Sequence, residues 1–251
     1  MNCFYAKTIP YLCKTCIQTT KMKKNKFITL FVMLLTIALT IWGDSWAHDP
    51  SEQTVSEYLF SLQDIPDGWE SLFDGKTLTG WKVVRYGGDG EPYVKDGSLV
   101  LPMAVSGPMT GVCWVGDVLP ANNYIIYYEA RRVRGSDIFA GLTFPYGDTA
   151  ASLIFGGWGG IVNGLSSIGG FDASENETVQ YFSYNNNQWY PVQLHVTPDS
   201  IRATVGKEKV IDLATAGKDI HLRDVILDTG LTLWNFNSAG EIRNIRIKKM
   251  Q

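Results

Sequence analysis

Short segments rich in β-branched and aromatic residues follow one another from about residue 65 to the end of the chain, and turn-forming residues separate them. Some alternate polar and apolar residues with a period of two, as in 192–196 (VQLHV) and 241–248 (EIRNIRIK). This alternation is typical of strands with one buried and one solvated face. About fourteen strands are predicted, and no long helical pattern interrupts them. The sequence therefore predicts a single all-β domain over residues 65–251, an antiparallel sandwich without βαβ units.

The start of the chain predicts a secretory signal peptide over residues 1–47. Three lysines follow Met22, an uncharged apolar run covers Phe27–Trp42, and Ser-Trp-Ala ends at Ala47. The run has sixteen residues, whereas a membrane-spanning helix needs about twenty, so cleavage fits better than an anchor. Met22 is the expected true start. Residues 48–64 are predicted to form a polar tether with one short helix.

The mature protein is expected to be exported, either periplasmic or secreted. No cysteine lies near the predicted cleavage point, so a lipoprotein is not expected, nor is a membrane association after cleavage. Residues 1–47 hold six of the 22 basic and one of the 25 acidic residues, which leaves the mature chain a net charge of −8. That charge argues against nucleic acid as a partner.

The sequence predicts no cofactor from its cysteines or from its other candidate metal ligands. Cys13 and Cys16 have CxxC spacing but lie within the leader, and Cys113, the one cysteine left, is predicted to be a small buried residue. Calcium is the alternative left open, with oxygen ligands from Asp89, Glu91 or the carboxylates at 172–177.

Two motif-like stretches fail on their spacing. Gly75-Lys76-Thr77 resembles the end of a phosphate-binding loop, but the glycine needed five positions earlier is Glu70. A β-turn is the better prediction there. The stretch around Ser166 approaches a GxSxG nucleophile motif, but the final glycine is replaced by Ile168.

A glycine-rich stretch at 154–178 is the strongest candidate for a ligand site. Seven of the fifteen residues from 156 to 170 are glycine. Trp158 stands between glycine pairs, so its indole is predicted to be exposed. Together with the hydrogen-bonding side chains of Asn163, Ser166 and Asn176, this indole would suit a sugar ring, by stacking on one face and polar contacts at the edges.

An acidic cluster follows this stretch and supplies candidate catalytic groups. If Glu175–Glu177 is extended, the two glutamates project from one face about 6 to 7 Å apart, close to the separations used in glycoside hydrolysis. Asp172 would be a third carboxylate. The alternative is a polar loop whose side chains cap its own backbone amides.

The chain resembles a bacterial family at both of its ends. Anchors lie in 68–82 (GWESLFDGKTLTGWK), 94–101 (VKDGSLVL) and 229–250 (TGLTLWNFNSAGEIRNIRIKKM), with Trp189 ahead of another strand. These stretches are similar to the 3-keto-disaccharide hydrolase family, formerly called DUF1080. The resemblance implies a concanavalin-like jelly roll of two antiparallel sheets whose concave face binds saccharide. The middle segment, with its glycine-rich stretch, departs from the usual pattern of the family.

The resemblance also implies an activity, the cleavage of 3-keto-glycosides by hydrolysis or by elimination and hydration. Such chemistry needs a base near C2, an acid near the leaving oxygen and donors that stabilise an enolate. Glu175 or Glu177 would be the base, and Arg131 or Arg134 would be the electrophile if their strand lies on the concave face. Two alternatives stay open: a noncatalytic carbohydrate-binding or surface-interaction module of the same fold, and a purely structural exported domain.

Overall fold

The protein was analysed as a computed structural model that describes residues 66–250. The chain divides into two units, residues 1–57 and residues 58–251, and every described residue belongs to the second. The predicted signal peptide and the tether at 48–64 lie outside the described residues. Among residues 66–250, no helix has the length and apolar character needed to cross a membrane.

Two antiparallel sheets make up the described part of the chain, which confirms the all-β, concanavalin-like jelly-roll prediction. The strands are β1 (Glu70–Ser71), β2 (Trp81–Val84), β3 (Tyr93–Lys95), β4 (Ser98–Leu101), β5 (Met109–Trp114), β6 (Tyr124–Gly135), β7 (Gly141–Tyr146), β8 (Thr149–Gly157), β9 (Val162–Ser166), β10 (Gln180–Tyr181), β11 (Tyr190–Val196), β12 (Ser200–Val205), β13 (Glu208–Ala214), β14 (Thr232–Phe236) and β15 (Ser238–Lys249). Sheet A has the order β13-β12-β11-β6-β15-β4-β3, with β1 also paired to β15, and sheet B has the order β10-β9-β8-β7-β14-β5-β2.

The core lies between the two sheets and follows from the period-two pattern of the strands. In β6, alternate residues such as Tyr124, Ile126 and Tyr128 are buried, and the residues between them are partly exposed. From sheet B, Phe144 and Phe155 reach the same core and are fully buried. Burial of each large apolar side chain contributes about 1.5–3 kcal/mol, so the aromatic layer accounts for much of the cohesion of the sandwich.

The outer face of sheet A is held by ion pairs. Arg243 pairs with Glu129 at 2.7 Å, and the two side chains are only 9% and 13% exposed. Arg131 pairs with Glu241 at 2.5 Å. Trp189 packs against both guanidinium groups, with ring-centre distances of 4.6 Å to Arg131 and 4.1 Å to Arg243. This face is therefore closed by contacts within the protein.

The Gly75-Lys76-Thr77 stretch forms a turn, as predicted. The carboxylate of Asp74 accepts hydrogen bonds from the backbone N–H groups of Thr77 and Lys76, both at 2.8 Å, and from the Thr77 hydroxyl. These donors stabilise the charged carboxylate, so the hydrogen bonds from Thr77 and then Lys76 lower the pKa of Asp74.

A long segment, residues 215–231, joins β13 to β14 and crosses the outer face of sheet B. At the β9 side, the N–H of Ser167 donates to the carbonyl of His221 at 3.1 Å. Further along, Ile226 packs with Met109 and Trp234 in an apolar cluster separate from the inter-sheet core. The segment therefore covers part of the outer face of sheet B. We call residues 215–231 the crossing segment.

Candidate functional site

A cavity of about 440 Å³ lies between the outer face of sheet B and the crossing segment. We call it the sheet B cavity. Sheet B supplies its floor, two turns supply one edge, and the crossing segment supplies part of the cover. The lining residues are Pro108, Met109, Asp137, Ile138, Ser152, Ile154, Trp158, Ser166, Asp172, Arg223, Val225, Ile226, Trp234 and Phe236.

The strand register gives the cavity a polar side and an apolar side. Ser152 and Ser166 are paired across β8 and β9, and Met109 and Phe236 are paired across β5 and β14. These strands follow the order β9-β8-β7-β14-β5 in sheet B. Strands β9 and β5 are therefore four inter-strand spacings apart, or about 19 Å. Hydroxyl groups therefore lie on one side of the cavity, and large apolar side chains lie on the other.

Trp158 occupies the tight turn between β8 and β9, and its side chain borders the cavity. The residue is 46% exposed and has a positive φ of 49°. The next N–H, that of Gly159, donates to the carboxylate of Asp137 at 3.1 Å. Gly160 is required by the turn, because its φ is 113° and a Cβ there would lie 2.8 Å from the carbonyl oxygen of Ser136. The glycine pairs thus leave the indole open to solvent.

Asp172 lies on the polar side of the cavity and is held by three donors. Its carboxylate accepts hydrogen bonds from the hydroxyl of Ser166 at 2.6 Å and from the N–H of Ala173 at 3.1 Å. Its other oxygen forms an ion pair with Arg223 of the crossing segment. The Asp172 side chain is 13% exposed and that of Arg223 is 44% exposed, so the guanidinium group is the more accessible partner.

Asp137 is the second carboxylate of the cavity. One oxygen accepts the N–H of Ile138 at 2.9 Å, and the other accepts the N–H of Gly159. Among the described residues, no ion pair involves this carboxylate. Two backbone N–H groups thus hold the Asp137 carboxylate in place, and the nearby guanidinium group of Arg132 donates to the backbone carbonyl of the same residue at 3.4 Å.

Asn163, predicted to contact a ligand, is instead fully buried within the fold. Its carbonyl oxygen accepts the N–H of Gly156 at 3.0 Å and the hydroxyl of Tyr184 at 2.9 Å. Its amide group donates to the carbonyls of Ile161, Gln180 and Phe182. With its hydrogen-bonding capacity used inside the protein, Asn163 supports the β8–β9–β10 region and does not line the cavity.

Asn176 has a similar structural position. It is 8% exposed, and its amide group donates to the carbonyls of Leu165 at 2.7 Å and Phe171 at 3.1 Å. The loop it holds packs closely on β9, since a Cβ at Gly164 would lie 2.9 Å from the Thr178 hydroxyl. This packing positions the loop that carries Asp172.

Glu175 and Glu177 do not form the extended pair that the sequence predicted. Residues 173–178 form turns, in which the N–H of Glu175 donates to the carbonyl of Asp172 at 2.9 Å. Both glutamates are exposed, and Glu177 pairs with Lys218 at 2.5 Å beside a smaller, separate cavity of about 290 Å³. The local backbone bonds of the turn prevail over an extended conformation, and of the three acidic candidates only Asp172 lines the sheet B cavity.

Arg131 and Arg134 lie on β6, at the centre of sheet A, and neither lines the sheet B cavity. Arg131 is engaged by Glu241 and Trp189 on the outer face of sheet A. The two arginines therefore do not contribute to this cavity, and their contact with a ligand stays a prediction. Arg223 supplies the guanidinium group of the cavity instead.

Asp137 and Arg223 were not identified from the sequence. Asp137 follows a long strand and precedes the next one, so it resembled an ordinary turn residue. Arg223 lies in the crossing segment, whose seventeen residues contain only an isolated bridge at Ile220. The length of that connection was the available signal, because long connections within compact domains are often functional.

Metal ligands are not clustered in the part of the chain that the structure describes. Within residues 66–250, no group of three or more His, Cys, Asp or Glu side chains is placed to hold a metal ion. Asp89 and Glu91, which the sequence suggested for calcium, both pair with Arg85, at 2.8 and 2.6 Å. Cys113 is buried, as predicted, and has a free thiol.

Comparison with protein families identifies the fold on which this cavity is built. A family model described as the 3-keto-alpha-glucoside-1,2-lyase-like domain matches residues 68–248. The chain belongs to this family. The match confirms the resemblance carried by the opening and closing stretches of the domain, and it spans both sheets and the crossing segment. A search of curated proteins gave no significant match.

The solved structures to which this chain is similar have low sequence identity to it. A Crh5 transglycosylase in complex with NAG is 10% identical with a TM-score of 0.54, and the likeness covers 73% of this chain and 85% of that one. A proposed glycosyl hydrolase from Parabacteroides distasonis ATCC 8503 is 18% identical, with a TM-score of 0.47 and coverage of 74% and 95%. Carbohydrate binding module CBM66 from Bacillus subtilis is 11% identical, with a TM-score of 0.46 and coverage of 68% and 96%. The transglycosylase shows a shared fold.

Proposed function

We propose that this chain is an exported carbohydrate-active protein that cleaves 3-keto-glycosides by elimination in the sheet B cavity. The observation that carries the proposal is that two carboxylates, a guanidinium group and an exposed indole border one cavity of about 440 Å³. Membership of the 3-keto-alpha-glucoside-1,2-lyase-like family supports the reaction class. Export rests on the signal-peptide pattern at residues 1–47.

A 3-keto group makes elimination accessible to ordinary side chains. The carbonyl at C3 acidifies the proton on C2, so a base removes it and the electron pair forms an enolate. The enolate then reforms the carbonyl, a C1–C2 double bond forms, and the C1–O bond to the leaving group breaks. The base then returns the proton taken from C2 to the leaving oxygen on the neighbouring C1, so the step balances without an oxidant or a reductant.

The residues of the cavity match these roles. Asp137 is the proposed base, because its carboxylate forms no ion pair within residues 66–250, whereas Asp172 is engaged by Arg223. Arg223 is the proposed electrophile for the enolate oxygen, where a cation stabilises the developing charge. Asp172 is a positioning residue that holds Arg223 over the cavity. Trp158 supplies a face on which a sugar ring would stack.

The test is turnover of methyl 3-keto-glucoside by purified protein, with product formation followed by NMR. Asp137→Asn is expected to lower kcat by at least about 100-fold, the usual contribution of a general base. Asp148→Asn, a change at an exposed turn aspartate, is the matched control and should leave kcat unchanged. Glu175→Gln should also leave it unchanged. Loss of turnover in Glu175→Gln with full activity in Asp137→Asn would overturn the assignment.

A noncatalytic carbohydrate-binding module is the second candidate. The observation in its favour is that both carboxylates already accept hydrogen bonds from the protein, Asp137 from two backbone N–H groups and Asp172 from three donors. Saturable binding of methyl 3-keto-glucoside without product formation would support this candidate over the lyase.

A further inference from the structure

The apolar side of the sheet B cavity has no role in the reaction proposed above. Met109 and Phe236 form its floor, and Val225 and Ile226 approach from the crossing segment. Met109 and Ile226 belong to an apolar cluster that lies outside the main inter-sheet core, and Phe236 packs against it.

Few polar groups of the cavity are left for a ligand. The hydroxyl groups of Ser152 and Thr143 are hydrogen-bonded to each other at 2.9 Å, and Ser166 donates to Asp172. The remaining hydrogen-bonding capacity is that of Asp137, Asp172 and Arg223. Asp172 and Arg223 lie at the β9 side, and Asp137 lies by the turn of Trp158, next to Ile138, whose carbonyl accepts the N–H of Phe236 at 2.8 Å. Three charged groups are enough for one sugar ring and leave little for a second.

A second sugar ring would be poorly accommodated on the apolar side. Each sugar hydroxyl that leaves water without a new partner costs about 1–3 kcal/mol, and a second ring carries several. An aromatic ring has no such cost and gains free energy from the same apolar walls. The lining residues come from strands as far apart as β9 and β5, about 19 Å, which leaves room for a group beyond the first ring.

We propose that the sheet B cavity takes glycosides with an aromatic leaving group in preference to disaccharides. The sugar would lie by Trp158, Asp137 and Arg223, and the aromatic group would lie between Phe236 and Val225. This inference rests on the proposed function only in that the cavity binds a glycoside, and it holds whether or not the glycoside is cleaved.

The test compares the binding of three probes to Asp137→Asn, in which turnover does not interfere. The probes are methyl 3-keto-glucoside, phenyl 3-keto-glucoside and a 3-keto-glucosyl disaccharide, with both anomers of each glucoside, and Kd is measured by calorimetry. The phenyl compound is expected to bind about 10- to 50-fold more tightly than the other two, from the apolar area it buries. A disaccharide that binds as tightly as the phenyl glucoside would overturn the inference.

Two variants of the crossing segment provide a matched comparison. Val225→Ser makes the apolar side more polar at a residue that is 58% exposed, so folding should be unaffected. It is expected to reduce the phenyl preference at least about threefold. Leu227→Ser, at 60% exposure and outside the cavity lining, should leave the preference unchanged. Equal effects of the two substitutions would also overturn the inference.

The outcomes separate this inference from the proposed function. Turnover of methyl 3-keto-glucoside by the unmodified protein without a phenyl preference would retain the lyase and refute the aromatic leaving group. A phenyl preference without turnover of any probe would support the inference and refute the lyase. Binding of none of the probes would refute both.

Discussion

Replacement of Asn163 by alanine should destabilise the fold strongly, because this side chain is buried and joins several segments through hydrogen bonds. It is fully buried and makes five hydrogen bonds, two as acceptor and three as donor. Each such bond contributes about 1 kcal/mol net, and a buried group left without a partner costs more. The alanine variant should therefore lose on the order of 3–5 kcal/mol of unfolding free energy, or about 10 °C in Tm for a domain of this size.

Urea denaturation followed by tryptophan fluorescence would measure this loss. The midpoint should fall while the slope of the transition stays constant, as expected for a change in stability alone. Asn185→Ala is the matched control, since Asn185 is exposed and its side chain donates only to Gln188, and its effect should be within about 0.5 kcal/mol. A loss below about 1 kcal/mol in Asn163→Ala, together with weaker saccharide binding, would refute the structural role and restore the prediction that Asn163 contacts the ligand.

Three further predictions follow from individual side chains. Trp158→Ala should weaken binding of methyl 3-keto-glucoside about 5- to 30-fold by calorimetry, and it should not lower Tm. Phe171→Ala, at another exposed ring outside the cavity lining, should change neither the binding nor Tm. Because folding lowers the pKa of Asp74, its stabilising effect is present above the unfolded pKa of about 3.9 and is lost as the pH falls through the folded value. Asp74→Asn should therefore lose less stability than the unmodified protein between about pH 4 and pH 2 in urea titrations, and equal losses would contradict this role. Gly164→Ala should cost about 1–3 kcal/mol by the same assay, because its Cβ meets Thr178; unchanged stability would show that the loop adjusts freely.

The strands could be predicted from the sequence because the alternation of apolar and polar residues that marks them is local and periodic. In β6 and β11 the alternation of apolar and polar residues matches the observed alternation of burial. Strand β3 (Tyr93–Lys95) was not predicted, because three residues are too few to show a period. The family resemblance added the pairing of the two sheets, which periodicity does not specify.

The site could be predicted only in part because it is assembled from distant segments. Trp158 and Asp172 share the cavity, in keeping with their place in the glycine-rich stretch and the loop after it. Asp137 and Arg223 join them through turns whose course depends on tertiary packing. Glu175 appeared equivalent to Asp172 in sequence, but a local turn directs it away from the cavity.

The position of β15 has a consequence for how the chain acquires its structure. This strand pairs with β6 on one side and with β4 and β1 on the other, yet it is contributed by residues 238–249. A growing polypeptide that stops short of these residues lacks a middle strand of sheet A, so β1 has no partner and the β3–β4 pair cannot join β6. Productive assembly must therefore wait until synthesis has passed residue 249, and the rate of folding should be limited by this encounter between segments more than a hundred residues apart.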